Sequence, residues 1–124
     1  MIIGVGTDIL AVDRMRDIES DHAFLSRVYS QAERKEAQGR NNALMYYCTR
    51  FAGKEAVFKS LCISPESVRL NDIEILTGEH GKPYVNLLGN MKSIALSRGV
   101  SDIQISLSWE KDYAVAFAVA CSKI

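Results

Sequence analysis

Asp8 follows Gly4 and Gly6 at two-residue spacing within the segment Ile2 to Leu10. Alternation puts Ile3, Val5, Thr7 and Ile9 on one face of a strand and Gly4, Gly6 and Asp8 on the other. The carboxylate therefore stands on a face stripped of side chains, with room beside it for a bulky group. Glu55 falls on the stripe Leu44, Cys48, Phe51, Phe58 and Cys62, spaced near a helical period, where an ionised group needs a partner, hydrogen bonds or a metal. Lys59, four residues on, can be that partner, and Lys54 and Lys82 are further cations to weigh. Two carboxylates with no Cys or His cluster suit a hard cation such as Mg²⁺, which takes one or two carboxylates together with substrate phosphates. The chemistry indicated is metal-assisted phosphate handling. Each group also has a plainer reading: Asp8 as a cap where a strand turns, Glu55 and Lys59 as a helix pair worth about 0.2–0.5 kcal/mol, and Lys82 as a solvated surface residue.

The elements that must hold these groups can be read from pattern. Asp21 can cap a short helix carrying Phe24, Leu25 and Val28; Ser30 with Glu33 reads as a capping box for a second, which Gly39 stops. The longest helix runs from about Asn42 to Leu61. Ser64-Pro65 breaks it, and Asp72 to Thr77 with Tyr84 to Leu88 forms a hairpin across Gly78 to Pro83. A short helix from about Asn90 ends at Gly99. Ile103, Ile105, Leu107 and Trp109 then alternate with polar residues, so Trp109 is expected to pack or to wall a pocket. In the final strand Tyr113, Val115, Phe117 and Val119 alternate with alanines, which implies that the alanine face lies close under a helix. The order predicts one α+β domain, a long helix against a mostly antiparallel sheet.

Composition narrows the function classes. The 124 residues carry fifteen basic and fifteen acidic side chains, which removes any global charge argument for nucleic acid or a membrane surface. The longest apolar run, Tyr113 to Cys121, falls far short of the about 20 residues of a membrane span, and no secretory signal is visible. A cytoplasmic location is expected. Cys48, Cys62 and Cys121 show neither disulfide nor zinc spacing, and His22 and His80 stand alone. Walker-type, dinucleotide and Gly-x-Ser-x-Gly motifs are absent.

Three segments taken together are specific: Gly4-Val5-Gly6-Thr7-Asp8-Ile9 with Arg14; Arg50-Phe51-Ala52-Gly53-Lys54-Glu55-Ala56 with Lys59; and Ser106-Leu107-Ser108 leading to Tyr113-Ala114. With Phe24, Arg27, Glu33 and Gly81-Lys82-Pro83-Tyr84, the chain resembles, along its full length, the holo-acyl-carrier-protein synthases, the short bacterial type of phosphopantetheinyl transferase. The resemblance implies that fold and the transfer of the 4′-phosphopantetheine arm of coenzyme A to a serine of an acyl carrier protein, releasing adenosine 3′,5′-bisphosphate. It further implies Asp8 and Glu55 as Mg²⁺ ligands, Glu55 and Lys59 as catalytic groups, and the serine's proton going to Glu55 or to a metal-bound water. Arg50, Lys54, Lys59, Gly81, Lys82, Pro83, Ser108 and Trp109 would bind coenzyme A, while Arg14 and Arg27 would meet the acidic carrier. Homotrimers with active sites between subunits are implied as well. One position departs from the pattern: the family's Ser-x-Ser-His is here Ser106-Leu107-Ser108-Trp109, and an indole has one donor and no basic nitrogen. A non-catalytic binding module and a metal-dependent diphosphate hydrolase are the competing readings.

Overall fold

The alanines of Tyr113–Cys121 form the floor on which the rest of the protein is laid. In the computed structural model, which describes residues 1–123, this strand, β5, is the middle of a three-stranded antiparallel sheet between β1 (Ile2–Ala11) and β4 (Asp102–Trp109). Ala114, Ala116, Ala118 and Ala120 are buried beneath helix α3 (Ala43–Ser60). Gly4, Gly6 and Asp8 pair with Ala120, Ala118 and Ala116 and share that inner face. Small side chains on both strands let the helix settle deep on the sheet.

A second layer covers the other side of α3. It contains α1 (His22–Val28), α2 (Gln31–Gln38) and the antiparallel hairpin of β2 (Ile73–Thr77) and β3 (Pro83–Leu87), with α4 (Gly89–Ser97) following. Local chemistry sets the boundaries as expected. The Asp21 carboxylate accepts from the Phe24 N–H, Ser30 and Glu33 form a reciprocal capping box, and the Asn42 side chain accepts from the Met45 N–H at 3.0 Å.

Sandwiching corrects the reading of α3. A helix covered on two sides has no single apolar stripe that marks its inside. Ala52, Ala56, Val57 and Ser60 are fully enclosed, whereas Leu44, Phe51, Glu55 and Phe58 are half-buried at its margin and Cys62 is exposed. Of the stripe predicted as interior, Cys48 is fully buried and the remainder runs along the helix's flank. The outer face of the sheet is bare and apolar: Val5, Ile9, Tyr113, Val115 and Phe117 are all exposed. Among the described residues no helix is long and apolar enough to cross a membrane.

Candidate active site

Where β1 crosses α3, backbone meets backbone. A Cβ on Gly6 would overlap the Ala56 carbonyl oxygen, and one on Gly4 the Ser60 carbonyl oxygen. The glycine face that the sequence suggested could admit a ligand is thus filled by the helix itself. The close approach instead places Asp8, next on that face, against the C-terminal half of α3. Lys59 Nζ donates to the Thr7 carbonyl at 2.9 Å and reaches Asp8 Oδ1 at 3.4 Å. It bridges to β1 and makes no ion pair with Glu55, contrary to the helix pairing expected.

Glu55 faces the same spot from the preceding turn. Burial raises its carboxyl above the ordinary range, the Asp8 charge adds to that, and Lys59 opposes both. Among the described residues, Lys59 supplies the only side-chain hydrogen bond to either carboxylate. Two carboxylates that repel each other, with oxygens other than Asp8 Oδ1 unengaged and one ammonium alongside, are a donor set suited to a hard cation. No group of three or more metal-ligating side chains occurs among the described residues, so remaining ligands would come from substrate and water.

Lys54 is placed elsewhere and corrects its assignment to coenzyme A phosphates. It is fully buried, and its Nζ donates to Glu33 Oε1 (2.7 Å), to the Leu70 carbonyl (2.9 Å) and to the Ile73 carbonyl. Three N–H groups meet three acceptors, leaving none for a ligand. Glu33 also accepts from the Ser30 and Ile75 N–H groups. Burial pushes Lys54 down and Glu33 up, each partly restored by the other.

Arg50 lies on the opposite flank of α3. With Arg40, Met45, Tyr46, Thr49 and Trp109 it lines a cavity of about 250 Å³. Its Nη2 donates to Thr77 Oγ1 at 2.7 Å, and its guanidinium stacks on Tyr46 at 4.1 Å. Arg40 donates to the same Thr77 oxygen at 2.7 Å. Glu36 accepts from the Thr77 N–H, the Thr77 hydroxyl and the Tyr46 hydroxyl. Burial pushes Glu36 up, but these hydrogen bonds and the Arg50 charge outweigh it, so its carboxyl titrates below the ordinary range. The sequence reading missed Glu36, Arg40, Tyr46 and Thr77; the four-residue spacing of Tyr46 and Arg50 was the available signal.

Trp109 is 62% exposed, a cavity wall and no part of the core. Ser108 leaves β4 on the other face, opposite Val115, so the two adjacent residues assigned to one ligand do not point to one place. Gly81 and Lys82 lie in an exposed turn that leads into half-buried Pro83 at the start of β3, closed by the Gly78 N–H donating to the Lys82 carbonyl at 2.7 Å, beside the start of β4. That is the far edge of the sheet from β1. Arg14 and Arg27 are both exposed, Arg27 resting over the Phe24 ring. Asp8, Glu55 and Lys59 therefore come together, Arg50 and Trp109 form a second group, and Lys54 joins neither.

The profile of the 4′-phosphopantetheinyl transferase superfamily matches residues 4–118. A holo-[acyl-carrier-protein] synthase from Desulforudis audaxviator is 40% identical over 122 residues, spanning 97% of this chain and 93% of that protein. Among solved structures, Plasmodium yoelii acyl carrier protein synthase with ADP bound superposes with a TM-score of 0.90 at 34% identity, covering 100% of this chain and 98% of the other. A Bacillus anthracis holo-(acyl-carrier-protein) synthase in complex with coenzyme A gives 0.82 at 28% identity, with 99% of each chain covered. With the Asp8, Glu55 and Lys59 cluster at the crossing of β1 and α3, these similarities establish that the chain belongs to the holo-[acyl-carrier-protein] synthase family of 4′-phosphopantetheinyl transferases.

Proposed function

We propose that the protein transfers the 4′-phosphopantetheine arm of coenzyme A to a serine of an apo acyl carrier protein in the cytoplasm, dependent on Mg²⁺ and releasing adenosine 3′,5′-bisphosphate. The observation that carries this reading is the convergence of Asp8, Glu55 and Lys59 where β1 meets α3. Asp8 and Glu55 would hold the cation, which when bound polarises the diphosphate and neutralises charge on the leaving group. Lys59, about half exposed at the rim, adds a fixed positive charge where the transferred phosphoryl group passes. The serine oxygen forms the new bond to phosphorus as the bond to the bisphosphate oxygen breaks. The serine proton would pass to Glu55 or to a water on the cation.

The apolar outer face of the sheet supports assembly, and the resemblance gives three copies. Arg50 and Trp109 lie on the other flank of α3 from Asp8 and Glu55, which supports a site shared between subunits, one chain supplying the metal ligands and its neighbour the arginine cavity. Lys82 with Gly81 and Pro83 serves coenzyme A from its turn, and Ser108, on the outer face, would act from within the interface. Exposed Arg14 and Arg27 orient an acidic carrier through long-range attraction that salt weakens.

Incubation with coenzyme A, Mg²⁺ and apo carrier protein, followed by weighing the carrier, tests the reaction. The expected result is a carrier heavier by one phosphopantetheine, lost in Asp8→Ala and Glu55→Ala. Coenzyme A consumed with the carrier unchanged would mark a hydrolase, and binding without turnover a non-catalytic module; near-normal transfer by either variant would overturn the metal assignment.

A further inference from the structure

Arg34 of α2 has no side-chain partner among the described residues. Its guanidinium makes no hydrogen bond or ion pair with another described residue, although its Nε is enclosed, and an enclosed donor left unsatisfied costs about 1–3 kcal/mol. It lines a cleft of about 540 Å³ between α1, α2 and the start of α3, together with Glu19, His22, Ser26, Arg40 and Tyr47, a size typical of small-molecule sites. Tyr47 is only 6% exposed. Its ring packs on Tyr29 and Tyr46, while its hydroxyl, unlike those of its two neighbours, donates to no other described residue. Glu19, Arg34 and Tyr47 line the same cleft, and burial and Glu19 raise the Tyr47 phenol while Arg34 draws it back.

We propose that this cleft binds a small molecule through a single phosphate group, at a site separate from Asp8, Glu55 and Lys59. Donors reach it from α1 (His22, Ser26), α2 (Arg34) and α3 (Tyr47). Three directions of approach suit a tetrahedral oxyanion better than a planar carboxylate. Arg34 and Arg40 outweigh Glu19, the one carboxylate among the lining residues, by one positive charge, which matches one phosphate and disfavours a polyphosphate. Arg40 also lines the Trp109 cavity but is held there by Thr77 and Tyr46; Arg34 and Tyr47 belong to this cleft alone among the two.

The test is titration of ¹⁵N-labelled protein with inorganic phosphate, following the amide signals of Ser26, Arg34 and Tyr47 against sodium chloride at equal ionic strength. Saturable shifts are expected, weakened about tenfold by Arg34→Gln and about threefold by Tyr47→Phe, and unchanged in Asp8→Asn. Shifts that chloride reproduces, or that survive both substitutions, overturn the proposal. The Tyr47 hydroxyl has no partner among the described residues, so Tyr47→Phe keeps its stability; should Arg34→Gln disturb folding, an unchanged phosphate affinity in Tyr47→Phe is by itself the refuting result.

Discussion

Replacing Lys54 by Met would leave the Glu33 carboxylate buried without its cation and strip two carbonyls of their donor. Breaking such a pair costs about 3–5 kcal/mol, so urea denaturation of Lys54→Met should show a loss of that order, partly restored by adding Glu33→Gln. The Michaelis constant for coenzyme A should hold in whatever fraction remains folded; a rise in it with stability intact would return Lys54 to the substrate. Trp109 makes the opposite kind of prediction. As an exposed cavity wall it offers aromatic surface, and Trp109→His should raise the Michaelis constant for coenzyme A about three- to tenfold with turnover little changed. Faster turnover at equal affinity would show that the site lacks an imidazole.

Helix α2 holds the hairpin through two glutamates one turn apart, Glu33 to the Ile75 N–H and Glu36 to Thr77. Because Glu36 titrates below the ordinary range when folded, its contribution to stability is complete above the unfolded value of about 4.3 and disappears as pH falls through the folded one. Glu36→Gln should therefore cost about 1–2 kcal/mol at pH 7, with the difference closing as pH falls below the ordinary carboxylate range; a gap that persists in acid would mean the carboxylate's charge is irrelevant. Caps, hairpin and strand alternation were all legible because each is written in adjacent side chains. The fate of Lys54 was not, since two of its three acceptors are backbone carbonyls, which leave no mark on sequence. Nor was the true inside of α3, because layers on both sides erase the stripe that a one-sided helix displays. Asp8 and Glu55 were found from residue type and spacing, but the reason they meet, helix backbone against glycine, inverts the open face that those glycines suggested.

A neutral domain that leaves Val5, Ile9, Tyr113, Val115 and Phe117 exposed on one sheet face has surface to cover. Phe117→Glu would set like charges against each other in the proposed trimer while touching no buried side chain. Sedimentation should show a monomer with an unchanged circular dichroism spectrum and little transferase activity; a stable trimer, or a fully active monomer, would refute the shared site.

β1 finds its partner very late. The Thr7 hydroxyl donates to the Ala116 carbonyl across 109 positions of chain, and β5 is the strand that joins β1 to β4. At cellular rates of about 5–20 residues per second, the first strand would wait roughly 5–20 s on the ribosome, its glycine face and the underside of α3 bare, before β5 exists to pair with it. The sheet cannot assemble vectorially. Losing β5 would therefore leave β1 without any hydrogen-bonded neighbour, and a nascent chain stalled or truncated before it would present both an unpaired apolar strand and an uncovered helix to the chaperones that meet it.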